Sequence, residues 1–142
     1  MKESSWFECV DNSICIKVSA DPLRARSLIE TAKARLNHTK KSRIDEENAN
    51  FIFEDYYSSA LEMLHALLFL NGFKADNHIC SGFFLRDMLK RIDLFRIFDD
   101  ARQKRNNLVY YGKKTDFETA KEQISRLGKF INELDIIIRK FI

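Results

Sequence analysis

The chain has 142 residues, 45% of them hydrophobic, with one Pro and four Gly, which suits one compact domain with a sizeable core and excludes a linker or disordered tail. Its 24 basic and 21 acidic residues leave a net charge of +3, too balanced for a general polyanion binder, so any nucleic-acid site has to be local. No apolar run approaches the ~20 residues of a membrane span, and the start MKESSWFECV lacks the apolar core of a secretory leader. Cys9, Cys15 and Cys80 form no CxxC pair and no metal spacing, and their odd number argues against a disulfide framework. A soluble cytoplasmic protein with reduced thiols, no metal and no membrane contact is expected.

In chain order, residues 1–20 read as a short irregular extension. Ser5-x-x-Glu8 is a capping box for a helix of one or two turns through Val10, and Ile14, Ile16 and Val18 then alternate with Cys15 and Lys17 as in a short strand. Asp21-Pro22 starts a helix to about Lys41, because Asp caps free amides and Pro suits the first helical position; Leu23, Ala25, Leu28, Ala32 and Leu36 make it amphipathic. Cations at Lys40, Lys41 and Arg43 followed by Asp45, Glu46 and Glu47 fit a helix–helix junction. From Asn48 to Leu70 the chain is apolar on most sides, as befits a central helix, and Gly72 stops it. Asp76 or Asn77 caps a helix through about Lys90, and Asp93 caps the next, which Gly112 ends. Thr115-x-x-Glu118 is a second capping box before a helix with Ala120, Ile124, Leu127, Ile131, Leu134 and Ile138 on one face. The pattern predicts a single all-α domain over 1–142, an up-and-down bundle of four main helices and a shorter one.

The stretch ARQKRNNLVYYGKK, residues 101–114, is the candidate site. Arg102, Arg105 and Asn106 are spaced by three and four and share a helix face, which Tyr110 extends, while Lys104 points elsewhere. Arg102 has Asp99 one turn back and can be a plain surface pair. Arg105 has no acid one turn away on either side and most needs an outside partner. Glu62-x-x-His65 has the spacing of a di-iron ligand pair, but a second pair is missing, so His65 reads as a core histidine. His38 and His78 read as surface or capping groups. There is no supported Ser/His/Asp or Cys/His arrangement and no Gly-rich phosphate loop, so no cofactor is expected.

With these residues in view, the sequence resembles the HEPN domain family over roughly residues 21–141, carried by YYSSALEMLHALLFLNGFKADNH at 56–78, the RQKRNNLVYYG segment and the final amphipathic helix. In that family an Arg, usually followed by a polar residue, precedes a His by four to six intervening residues, and Arg105-Asn106 matches the start of the motif. The resemblance implies a homodimer whose motif helices form a shared cleft, where catalytic members cut RNA without a metal, Arg steadying phosphate and His moving protons. This chain departs from it, with Tyr110, Tyr111 and Gly112 at the three allowed distances and no His. A tyrosine with a pKa of about 10 is a poor general base at neutral pH, although it can donate a hydrogen bond or stack on a base.

The resemblance therefore implies a domain that binds RNA or a partner protein through Arg102, Arg105, Asn106 and Tyr111, with Tyr110 beside Arg105 at the position of the catalytic His and with weak or absent nuclease activity. The alternative it implies is a metal-independent endoribonuclease toxin restrained by a nucleotidyltransferase partner. In some relatives that partner modifies a Tyr two residues beyond the His, and Gly112 stands at that position here. A dimeric scaffold whose Arg/Asn face touches no nucleic acid is the third reading.

Overall fold

The computed structural model of the protein describes residues 2–142. Helix α1 covers Trp6–Asp11 and strand β1 Cys15–Lys17; the long helices α2 (Pro22–Thr39) and α3 (Ala49–Leu70) follow. Strand β2 is Phe73–Ala75, α4 is His78–Phe83, α5 is Ile92–Tyr111 and α6 is Phe117–Arg139. The expected all-α bundle is formed by α2, α3, α5 and α6, with α4 as the shorter helix and a two-stranded antiparallel sheet beside it.

Helix α3 is the axis of the bundle and packs against both α2 and α6. Its near-continuous apolar sequence leaves Phe53, Tyr57, Met63, Leu64 and Leu67 buried, and fully burying side chains of this size stabilises by roughly 1.5–3 kcal/mol each. Close approach to α2 is permitted by small residues, and the Ser59 hydroxyl donates to the Ala32 carbonyl across that contact at 3.3 Å. Helix α6 presents the predicted stripe from Ala120 to Ile138. A column of rings, with Tyr57 stacked on Phe98 at 5.6 Å and Phe98 on Phe130 at 5.9 Å, ties α3, α5 and α6 together.

Helix boundaries follow local chemistry, with several corrections. Asp21 caps α2 as predicted, accepting from the Arg24 amide at 3.1 Å, but the helix ends at Thr39 and the cationic run beyond it forms turns. The cap of α6 is Asp116, which accepts from the Thr119 amide at 2.8 Å, and not Thr115; Thr115 is held instead by Asn50 on α3. Asp93 does not cap α5, because its carboxylate faces the Arg91 guanidinium at 2.9 Å. The helix expected to run to Lys90 loosens into a π-helical turn over Phe84–Met88 and stops where Lys90 takes φ 57°. Gly72 ends α3 as expected; at φ 79°, an added Cβ would lie 2.9 Å from the Val18 carbonyl oxygen.

The N-terminal segment is more ordered than an irregular extension. Ser5 caps α1, and Trp6, 2% exposed, wedges edge-on against Phe73 and Phe84 while its amide donates to Asp87 at 2.8 Å. The predicted strand exists as β1, whose partner is β2, with Cys15 opposite Ala75 and Lys17 opposite Phe73. Contrary to the expectation of three reduced thiols, Cys9 and Cys80 form a disulfide, and Cys15 alone is a free, buried thiol. The pairing spans 71 residues. It follows from the docking of α1 on α4, which no local spacing announces.

Candidate functional site

Helix α5 enters the core mainly with its first half: Leu94, Phe98 and Ala101 are buried, and beyond them Leu108 packs against the core only partly buried. Its last three turns are held at the side and the end instead. On the side, Asp100 collects Lys104 at 2.7 Å and, from α6, Gln123 at 2.8 Å and Arg126 at 3.1 Å. At the end, Gly112 takes the left-handed conformation with φ 63°, and the Asn50 amide group both donates to the Thr115 carbonyl (3.0 Å) and accepts from its amide (3.1 Å). The segment from Arg102 to Tyr110 thus stands fixed with one face free of the core.

That face borders a cleft of about 440 Å³ whose walls include Arg102, Asn106 and Tyr110 from α5, His78 from the start of α4, and Lys2 and Glu3 from the N-terminal segment. Arg102 is bound to Asp99 through two hydrogen bonds of 2.8 and 3.0 Å, the plain surface pair its spacing suggested, so its charge is largely answered. Arg105 has no carboxylate partner among the described residues. Its guanidinium lies between two aromatic rings, 5.7 Å from the centroid of Tyr57 and 5.7 Å from that of Tyr110, and bonds only weakly to Asn106 at 3.4 Å. Such contacts favour a cation but leave its N–H donors for an external acceptor. Arg105 thus stands behind Tyr110, next to the cleft but not in its lining, and Tyr111, 79% exposed, lies outside that lining as well.

Helix α5 contains no histidine, yet one reaches this cleft from another element. His78, half-buried at the first turn of α4, shares a 3.0 Å hydrogen bond between its Nδ1 and the hydroxyl of buried Tyr57. Burial, and then the charges of Arg105 and Arg102, hold its pKa below the ordinary histidine value, so it is a neutral imidazole at neutral pH. The phenol can donate to Nδ1 when Nε2 carries the proton, or accept from Nδ1–H in the other neutral tautomer, which leaves Nε2 free as a base, and in the protonated ring, so Tyr57 orients His78 in each state. Burial likewise raises the Tyr57 pKa well above the phenol range, keeping it protonated. Reading His78 as a surface or capping group therefore missed its place; Asn77 is the cap, accepting from the Cys80 amide at 3.1 Å. The available signal was Tyr57, whose core phase obliges its hydroxyl to find a buried partner.

The remaining candidates separate cleanly. His65 is a core group beside the Ser81 hydroxyl (3.5 Å), its pKa pushed down to about 4 mainly by burial, and Glu62 turns away to pair with Arg35 at 3.2 Å. His38 is exposed. Among the described residues, the one group that could hold a metal ion is Cys9, Cys15 and Cys80, whose sulfurs lie within 4.8 Å of one another; two of them are spent in the disulfide. No described helix is long and apolar enough to cross a membrane.

Fold and site together define an all-helical bundle with a polar cleft along its fifth helix, walled by Lys2, Glu3, Asp76, His78, Arg102 and Tyr110. The chain matches no protein-family model, no curated protein and no solved structure.

Proposed function

We propose that the α5 cleft binds the phosphate backbone of RNA, in the manner that resemblance to HEPN domains suggests. The observation that carries the reading is Arg105: a guanidinium with no carboxylate partner, set between Tyr57 and Tyr110 and next to Asn106. A phosphate oxygen is the acceptor its geometry suits, and exposed Tyr110 offers a ring on which a base can stack. The unburied end of α5, with Val109, Tyr110 and Tyr111 all exposed, is where a second copy would pack if the cleft is shared in a homodimer. Glu3 and Asp76 also border the cleft, which favours contact with a few phosphates over capture of any polyanion.

A second reading is favoured by one specific observation, the presence of His78 in the cleft. If this imidazole takes the part of the missing motif histidine, the protein is a metal-independent endoribonuclease, with His78 accepting the proton of the attacking 2′-hydroxyl and Arg105 steadying the phosphate. Incubating the protein with labelled single-stranded and structured RNA in the presence of a chelator, with binding and cleavage followed together, separates the readings. Binding without cut, weakened in Arg105→Ala, supports the first; cleavage lost in both Arg105→Ala and His78→Ala supports the second; the absence of both leaves the Arg/Asn face to a protein partner or to a scaffold role.

A further inference from the structure

The cysteine cluster sits at the junction that closes one wall of the cleft. The Cys9–Cys80 disulfide fastens α1 to α4, two residues beyond His78, and the chain just before α1 supplies Lys2 and Glu3 to the cleft wall. The third sulfur, the free thiol of Cys15, lies within 4.8 Å of the other two. All three side chains are buried, at 0%, 1% and 0% exposure for Cys9, Cys15 and Cys80. An external thiol therefore cannot touch the closed disulfide, whereas Cys15 already stands beside it. A helix as short as the six residues of α1 is not stable alone and keeps its shape only while docked.

We propose that Cys9, Cys15 and Cys80 form a thiol–disulfide exchange site through which a dithiol reductant loosens the N-terminal segment from α4 and opens the α5 cleft. This rests on the reading of that cleft as an RNA site. In the first step the Cys15 thiolate attacks Cys9 Sγ; a Cys15–Cys9 bond forms, the Cys9–Cys80 bond breaks, and Cys80 leaves as a thiolate that takes up the proton Cys15 released. No electrons leave the protein. The Ile14 amide already donates to the Cys9 carbonyl at 2.9 Å, so the loop between the new partners is half closed beforehand. In the second step α1, no longer bonded to α4, swings away and exposes the new disulfide; one thiol of the reductant attacks it, and the second thiol closes the reductant's own disulfide, leaving Cys9 and Cys15 as thiols, with one dithiol oxidised for each protein disulfide reduced. Burial, and then the charge of Asp76, hold the Cys15 pKa up at about 11, which keeps the first step slow and the closed arrangement the resting one.

The test uses the full chain, oxidised, with dithiothreitol as the dithiol. Alkylation and mass spectrometry count thiols with time, hydrogen exchange over the first minutes follows the Trp6, Cys9, Asn12 and Ile14 amides, and a labelled single-stranded oligoribonucleotide measures affinity. The expected result is a rise from one to three free thiols, exchange at least tenfold faster in those four amides with α3 and α6 still protected, and an affinity severalfold higher after reduction. In Cys15→Ser, which keeps the Cys9–Cys80 pair, reduction should be at least tenfold slower. Reduction as fast in Cys15→Ser as in the parent, or loss of protection in α3 and α6 together with α1, overturns the proposal. Loosening of the segment with no RNA bound in either state refutes the RNA reading of the cleft and leaves the exchange site standing.

Discussion

Replacing Asn50 with Ala removes the clamp that fixes the end of the site helix. Two hydrogen bonds, of 3.0 and 3.1 Å, run between this 8%-exposed side chain and the backbone of Thr115. Each contributes about 1 kcal/mol net, and the stranded backbone groups of Thr115 add to the loss, while the better helix propensity of Ala returns about 0.5 kcal/mol. The expected cost is about 2 kcal/mol. For 142 residues at about 2.1 cal/mol/K each, the unfolding entropy is about 0.3 kcal/mol/K, so the midpoint should fall by about 7 °C. Asn50→Asp keeps the acceptor for the Thr115 amide but buries a carboxylate against the Thr115 carbonyl, and should cost at least as much as Asn50→Ala. Urea titration followed by circular dichroism measures both. Since no side chain of α5 beyond Ala101 is buried, the same substitution should also speed amide exchange from Asn107 to Tyr111. A loss under about 0.5 kcal/mol with unchanged exchange would refute the argument that Asn50 positions this end of the helix.

Three further outcomes follow from the electrostatics. Arg105→Gln removes the larger of the two charges that depress His78, so the His78 pKa, read from ring proton shifts against pH, should move up towards the ordinary value; no upward movement would mean that Arg105 does not act on the cleft histidine. His65 binds its proton less readily folded, with a pKa of about 4, than unfolded at about 6.5. Its contribution is complete above pH 6.5 and is lost as the pH falls: about 2 kcal/mol of a total of about 3 should be gone by pH 5, with His78 acting in the same direction. Denaturant midpoints for the parent and His65→Gln between pH 7.5 and 5 check this, the variant being expected to show the shallower fall. Tyr57→Phe keeps the ring beneath Arg105 and deletes the phenol that meets His78; it should cost about 1 kcal/mol in a thermal melt and broaden the His78 ring signals as the imidazole loses its fixed orientation.

Much of this architecture is visible in local sequence because its causes are local. Asp21-Pro22, Gly72 and Gly112 mark helix ends through side-chain capping and left-handed backbone, and the Asp99–Arg102 pair is a matter of helix spacing. What escapes the sequence depends on contacts between distant segments. Thr115 has the residue type of a cap, yet Asn50 reaches it first, and Asp116 takes the role. Cys9 and Cys80 look like isolated thiols until α1 docks on α4, and β1 has no visible partner until the turn at Gly72 delivers β2. The site shows the same division. Arg105 and its lack of an acidic neighbour can be read along one helix, while His78 lies outside any window drawn around Arg105 and arrives because α4 packs on α5, with Phe83 stacked on Phe95, and Tyr57 on α3 bonds its ring.

The central claim, that Arg105 is a phosphate ligand at the edge of the α5 cleft, is tested most directly by the salt dependence of RNA affinity. Anisotropy of a labelled single-stranded oligoribonucleotide, from about 50 to 200 mM salt, would be compared for the parent protein and Arg105→Gln. Each phosphate contact to a single strand adds about −0.7 to the slope of log affinity against log salt. The account predicts affinity that falls with salt in the parent, weakens at least tenfold in the variant, and loses about one contact's worth of slope. Equal affinities and equal slopes for the two proteins, or no binding by the parent at the lowest salt, would contradict it.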